Sequence, residues 1–196
     1  MLQIRIHGRG GQGVVTAAEL LSVAAFEQGR HAQAFPSFGS ERTGAPVVAF
    51  CRIDDREIRL REPIQAPDVL IVQDPTLLHQ VDVFQGLGPD GYVLINTTHS
   101  LDGLGLGEVA RRYRRDRLIT LPATDIAMKH LGRPLPNAVL LGGFAALAGF
   151  VTLDAVAHAI RDTFSGKMAE SNVAAATEAF DYVRHELEEL SHAQAD

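Results

Sequence analysis

The first residues already carry a pattern: LQIRIH (2–7) alternates apolar and polar positions and is rich in β-formers, so it reads as a strand. The period then changes. In VVTAAELLSVAAFEQG, Val14, Ala17, Ala18, Leu21 and Ala25 fall on one helical stripe that Gly29 stops. HAQAF gives a second strand, cut off at Pro36. VVAFCRID and EIRLR flank a short DDR turn, which predicts a hairpin over 47–61 and so antiparallel strands. Three continuous apolar runs follow: DVLIVQD (68–74), GYVLINT (91–97) and DRLITLP (116–122). Such runs suit strands buried on both faces. Helices are expected between them, near Thr76–Phe84, near Gly107–Arg114, and from a Thr124 N-cap to Leu131.

The last third is helical. PNAVLLGGFAALAGF opens with Pro136 and Asn137 as stop-and-cap punctuation and continues as an apolar helix holding Gly142 and Gly143. Each interior glycine costs about 1 kcal/mol relative to alanine, so a close neighbour against that face is expected. Thr152 caps the next helix, with Leu153, Val156, Ile160 and Phe164 along one side. SGKMAESN reads as a break before a final helix over about 171–190. No repeat, linker or low-complexity segment divides the chain. The pattern predicts one domain over 1–196: a three-layer α/β/α fold with a mixed, mainly parallel sheet and one antiparallel hairpin.

Composition narrows the chemistry. The net charge of −6 disfavours nucleic acid, and RRYRRDR (111–117) is too local to reverse that. No run is long and apolar enough for a membrane span, and the immediate start of a strand leaves no room for a signal peptide, so the cytoplasm is expected. The single cysteine, Cys51, excludes a disulfide framework and cannot by itself hold an iron–sulfur cluster, which needs about four thiolates. No metal site is expected either: the histidines show no ligand spacing, and the Glu27/His31 pair reads as solvated. With no G-x-S-x-G and no paired carboxylates, no catalytic residue is assigned. The chain looks like a binding surface.

The candidate chemistry lies in two loops. HGRGGQGV (7–14) satisfies G-x-G-x-x-G between a strand and a helix, where glycines permit a tight turn and the helix N-terminus faces an anion. A nicotinamide site also wants an acid about 20 residues on, and none occurs before Glu41, so NAD is disfavoured. Gly8, Arg9, Gly10, Gly11, Gln12 and Gly13 instead suit a phosphate or diphosphate. PSFGSERTGAP (36–46) combines Ser37, Glu41 and Arg42 with rigid prolines, and a scaffolded loop of that kind is where binding groups tend to sit.

GRGGQGVVTAAELL (8–21), AFPSFGSERTGAPVVAF (34–50) and PNAVLLGGFAAL (136–147) together resemble the gamma subunit of 2-oxoacid:acceptor oxidoreductases, pyruvate:ferredoxin oxidoreductase among them. The resemblance runs in order through FSGKMAESNVAAATEAF. It implies a non-catalytic subunit packed on alpha, beta and ferredoxin-like delta subunits. Those partners would carry thiamine diphosphate, Mg and [4Fe-4S] clusters, and coenzyme A would be the co-substrate. The residues carried over as a coenzyme A contact are Gly8 to Gly13, Ser37, Glu41 and Arg42. Two other readings are a purely structural assembly subunit and a free-standing nucleotide-binding protein.

Overall fold

The computed structural model describes residues 1–37 and 43–193. Six strands form one sheet in the order β2-β3-β1-β4-β5-β6. They are β1 (Leu2–Arg9), β2 (His31–Pro36), β3 (Pro46–Asp54), β4 (Val69–Val72), β5 (Tyr92–Asn96) and β6 (Leu118–Leu121). The β1, β4, β5 and β6 ladders are parallel, whereas β3 runs antiparallel to both β1 and β2. The sheet is therefore mixed, with three parallel and two antiparallel pairings, β2 and β3 forming the hairpin.

The hairpin expected over 47–61 does not form. Both edges of β3 are occupied, by β1 on one side and β2 on the other. EIRLR has no free edge of β3 to join. Residues 57–61 form no strand, and Arg59 pairs locally with Glu57. The antiparallel partner is the earlier strand, HAQAF.

The alternation in β1 sets the layers. Ile4 and Ile6 point into the larger core, beneath α1 (Val14–Glu27), α3 (Ala123–Leu131), α4 (Asn137–Ala148), α5 (Leu153–Thr163) and α6 (Gly166–Ala193). The opposite face, with Leu70, Val72, Val93 and Ile95, is covered thinly by 75–113. Two helices expected there are shorter than the pattern suggested: a 3₁₀ turn over Pro75–His79, and one turn of helix, α2 (Gly107–Ala110). Asp74 caps the 3₁₀ turn, its side chain accepting from the Thr76 N–H.

Gly142 and Gly143 have the close neighbours that their helix cost implied. A Cβ on Gly142 would lie 2.6 Å from the Ala176 carbonyl carbon, and nearer still to its oxygen, so α4 and α6 meet backbone to backbone. A Cβ on Gly143 would meet Leu121, Leu94 and Val183 side chains. Thr152 caps α5, accepting from Ala155 N at 3.1 Å. Three boundaries differ from expectation. SGKMAESN is not a break, since α6 starts at Gly166. Thr124 is not an N-cap side chain: its N–H donates to Asn96 Oδ1 at 3.1 Å and its hydroxyl accepts from Asn96 Nδ2 at 2.8 Å. Asn137 does not cap α4 with its side chain.

Cys51 is a buried filler, its thiol pushed up to about 12 by burial. On the thinly covered face, buried Arg5 donates to the carbonyls of Ile64 (3.4 Å), Val83 (2.8 Å) and Gln85 (2.6 Å), fastening two loops over β1.

Candidate functional site

The glycine loop leaves the carboxyl end of β1 and enters α1. Gly11 (φ 91°) and Gly13 (φ 70°) take left-handed backbone, which L side chains rarely adopt. Gly13 is the N-cap of α1 and offers no side chain to its first N–H groups, nor does the first turn carry an acid. The open N–H groups and the dipole together make this an electropositive terminus.

The structure joins the two loops singled out from the sequence. Gly10 N donates to Ala45 O at 2.9 Å, Gly44 N donates to Gly10 O at 3.0 Å, and Gly10 bridges Thr43. Ser37, half-buried, follows β2 and donates its N–H to Val48 O at 2.8 Å. Glu41 and Arg42 lie outside the described residues.

Arg9 and Gln12 are both engaged inside the loop. The Arg9 guanidinium donates to Gly44 O (3.0 Å), Thr76 Oγ1 (2.8 Å) and Gln80 Oε1 (2.9 Å), and its Nε sits 3.2 Å from Asp74 Oδ2. Gln12 Oε1 accepts from Arg9 N at 2.8 Å, and Gln12 Nε2 donates to Asp74 Oδ2 at 2.8 Å. Burial alone would push the Asp74 carboxyl up. Hydrogen bonds from Thr76 and Gln12, with the Arg9 charge, hold it below its ordinary value instead. Asp74 is thus the acid that organises the loop, although it lies in a later strand end, well beyond the loop in sequence. The signal was present: an acid at the end of an apolar strand run, followed by Pro75.

Next to the loop the strand ends are stitched by amides. Gln73 Nε2 donates to Gln12 O (3.0 Å), Asn96 Nδ2 donates to Gln73 O (2.8 Å), and Asn96 also holds Thr124 at the start of α3. His7, immediately before the loop, is buried, and burial together with the Arg5 charge lowers it to about 4. On its α4 side the loop borders a cleft of about 530 Å³ that also takes in Asn137, Arg133 and Lys167. Those three carried no sequence signal as site residues.

The profile of the pyruvate ferredoxin/flavodoxin oxidoreductase family matches residues 3–182. The common gamma subunit of pyruvate/ketoisovalerate oxidoreductases of Pyrococcus abyssi is 49% identical over 183 residues, covering 92% of this chain and 96% of that protein. The chain is a gamma-type member of that family. Among solved structures of the family, the pyruvate oxidoreductase subunit PORC of Thermotoga maritima superposes with a TM-score of 0.76 at 34% identity, over 92% of this chain and 95% of that one. The same fold recurs in the 2-oxoglutarate:ferredoxin oxidoreductase of Magnetococcus marinus, solved with 2-oxoglutarate, coenzyme A and succinyl-CoA bound. That superposition has a TM-score of 0.67 at 17% identity, over 95% of this chain and 31% of that chain. Gamma-type membership agrees with the sequence resemblance and sets aside a free-standing nucleotide-binding protein. No described helix is long and apolar enough to cross a membrane.

Proposed function

We propose that this chain, as one gamma-type domain over 1–196, is the non-catalytic subunit of a cytoplasmic enzyme that oxidatively decarboxylates a 2-oxoacid to its acyl-CoA. Thiamine diphosphate, Mg and [4Fe-4S] clusters belong in this reading to alpha, beta and ferredoxin-like delta partners. Relatives named for pyruvate and ketoisovalerate support a 2-oxoacid of that kind. The gamma chain's own contribution is to hold coenzyme A on the glycine loop, a ligand found bound in the Magnetococcus marinus enzyme.

One observation carries the coenzyme A role: the two loops predicted to bind it are hydrogen-bonded to each other at Gly10 and Gly44, at the open N-terminus of α1. A diphosphate there would meet the backbone N–H groups of Gly11, Gly13 and Val14, that of Gln12 being turned to Arg9 O. Arg9 lends charge, and Gly44 and Gln12 fix the loop's shape. A specific observation favours the purely structural reading as well, since the polar ends of Arg9 and Gln12 are committed to Thr76, Gln80, Gly44 and Asp74.

Arg9→Gln in the assembled enzyme separates the two. A charge-assisted contact is worth about 1.5–3 kcal/mol, so the KM for coenzyme A should rise roughly 10- to 150-fold. The half-reaction needing only the oxoacid and thiamine diphosphate should stay near normal. An equal fall in both would assign Arg9 to assembly, and no change in either would make the loop only a turn.

A further inference from the structure

The fold gives Glu27 partners that its place in the chain does not. In sequence its neighbour is His31, four residues on, but α1 ends at Glu27 and His31 opens β2. α5 packs directly on α1 and brings His158 and Asp162 to Glu27 instead. His158 Nε2 lies 3.7 Å from Glu27 Oε2 and 4.0 Å from Asp162 Oδ1. One donor atom from each of the three falls within 4.8 Å of the other two.

Those distances discriminate between a hydrogen-bonded cluster and a set of ligands. An N–H···O hydrogen bond closes to about 2.7–3.2 Å, so neither histidine contact is one. Two ligands on one tetrahedral Zn²⁺, with bonds of about 2.0–2.2 Å, stand roughly 3.3–3.6 Å apart. The contacts here are wider by an amount that side-chain rotation closes, since all three side chains are exposed. The backbone supports the arrangement: His158 and Asp162 are four residues apart on one face of α5, and Glu27 comes from the last residue of α1.

The local charge agrees. Among the described residues, no Lys or Arg pairs with Glu27 or Asp162. Arg30 and Arg161, close to them in sequence, are taken by Asp55 and Glu170. α1 also ends without a basic residue in its last turn, so the negative end of its dipole adds to the two carboxylates. Gln28, the next residue, is committed to Thr152 N at 2.9 Å.

We propose that Glu27, His158 and Asp162 form a divalent transition-metal site, occupied by Zn²⁺, that clips the end of α1 to α5. One imidazole with two carboxylates suits Zn²⁺, whereas Mg²⁺ and Ca²⁺ favour all-oxygen shells. Water completes the coordination. The site is at the opposite end of α1 from the glycine loop, so the ion's part is structural: it fixes the helix whose start forms that loop. The proposal is independent of the coenzyme A reading.

The test is calorimetric titration of the full chain, stripped with EDTA and dialysed, with ZnCl₂ and with MgCl₂. Wild type is compared with His158→Gln, Asp162→Asn and His185→Gln. His185 is the control, because it pairs with Glu189 in the same four-residue spacing at 3.2 Å but belongs to no three-residue cluster among the described residues. All three substitutions are on exposed side chains, and matching melting curves without metal check the fold. The wild type should bind one Zn²⁺ and melt higher with it. His158→Gln and Asp162→Asn should weaken binding by more than the roughly 10- to 100-fold that losing a residue hydrogen-bonded to a metal ligand costs, and should remove the thermal shift. His185→Gln should do neither, and Mg²⁺ should bind the wild type more weakly than Zn²⁺. Zn²⁺ that binds wild type and His158→Gln alike, that is lost in His185→Gln instead, or that shows no saturable binding overturns the proposal. So does Mg²⁺ binding as tight as that of Zn²⁺, which would leave the imidazole without a role.

Discussion

Gly142 and Gly143 are neighbours in sequence with opposite tolerances. In a helix interior, Gly→Ala gains about 1 kcal/mol from propensity alone. At Gly142 the new methyl would sit 2.6 and 2.8 Å from the Ala176 carbonyl carbon and Cα, closer than the 3.0 Å below which real Cβ contacts essentially never fall. Those atoms are backbone of α6 and cannot rotate away, so α4 and α6 must part. Overpacking of that kind costs about 1–3 kcal/mol, and rigid neighbours place this site at the upper end. Net of propensity, Gly142→Ala should destabilise by about 2 kcal/mol. At Gly143 the nearest atoms are methyls of Leu121 (2.7 Å), Leu94 (3.3 Å) and Val183 (3.4 Å). Rotating such side chains costs about 0.5–1.5 kcal/mol, which roughly cancels the propensity gain. Urea unfolding at constant m measures both, and thermal melts should show Gly142→Ala lower by about 4–8 °C with Gly143→Ala within about 2 °C of wild type. If Gly142→Ala is as stable as wild type, or the order of the two is reversed, the backbone contact between α4 and α6 does not set the cost.

His7 should make stability depend on pH. Its folded value of about 4 lies below the ordinary 6.5, so the unfolded chain binds the extra proton between those values. Stability is full above pH 6.5, falls by about 3 kcal/mol as pH drops to 4, and levels below. His7→Gln should flatten that slope in urea titrations across the window, and an unchanged slope would show that His7 is not its cause. Arg5→Met should cost about 2–4 kcal/mol, because the carbonyls of Ile64, Val83 and Gln85 lose their donor, partly offset by relief of a buried charge. Melting should fall and amides near 64 and 83–85 should exchange faster, and an unshifted melt would show that Arg5 is dispensable.

The parts of the fold visible in the chain were those where local pattern and tertiary structure agree. The period-two run at Leu2–His7, the apolar runs at 68–74 and 91–97, and the Thr152 cap depend on neighbours in sequence. The two interior glycines were informative because they break a local rule, and the reason was α6 lying on top. The failures involve competition for a partner. EIRLR looks like a strand, but β3 already pairs along both edges, with β1 and with HAQAF. Asn137 looks like punctuation before α4. Its amide is buried beside Gly13, far earlier in the chain, and no spacing rule reaches that far. Arg133 and Lys167 were hidden for the same reason, whereas Asp74 carried a signal, an acid closing an apolar strand run before Pro75, that went unread. The glycine loop itself was legible, and its union with Thr43 to Ala45 was not.

The stitch along the strand ends, from Gln12 through Gln73 and Asn96 to Thr124, contains only amides and a hydroxyl. None of these groups gains or loses a proton across the range in which proteins fold. His7, one strand position away from Gly8, titrates as folding stability is lost in acid, but the stitch holds its alignment until the sheet itself opens. On this side the glycine loop is tied to the first turn of α3 by a connection with no titratable group in it. The opposite side of the loop is held by Asp74, a carboxylate that Thr76, Gln12 and Arg9 keep below its ordinary value, so a gradual acid response of the loop's shape would enter through Asp74 and leave the stitch intact.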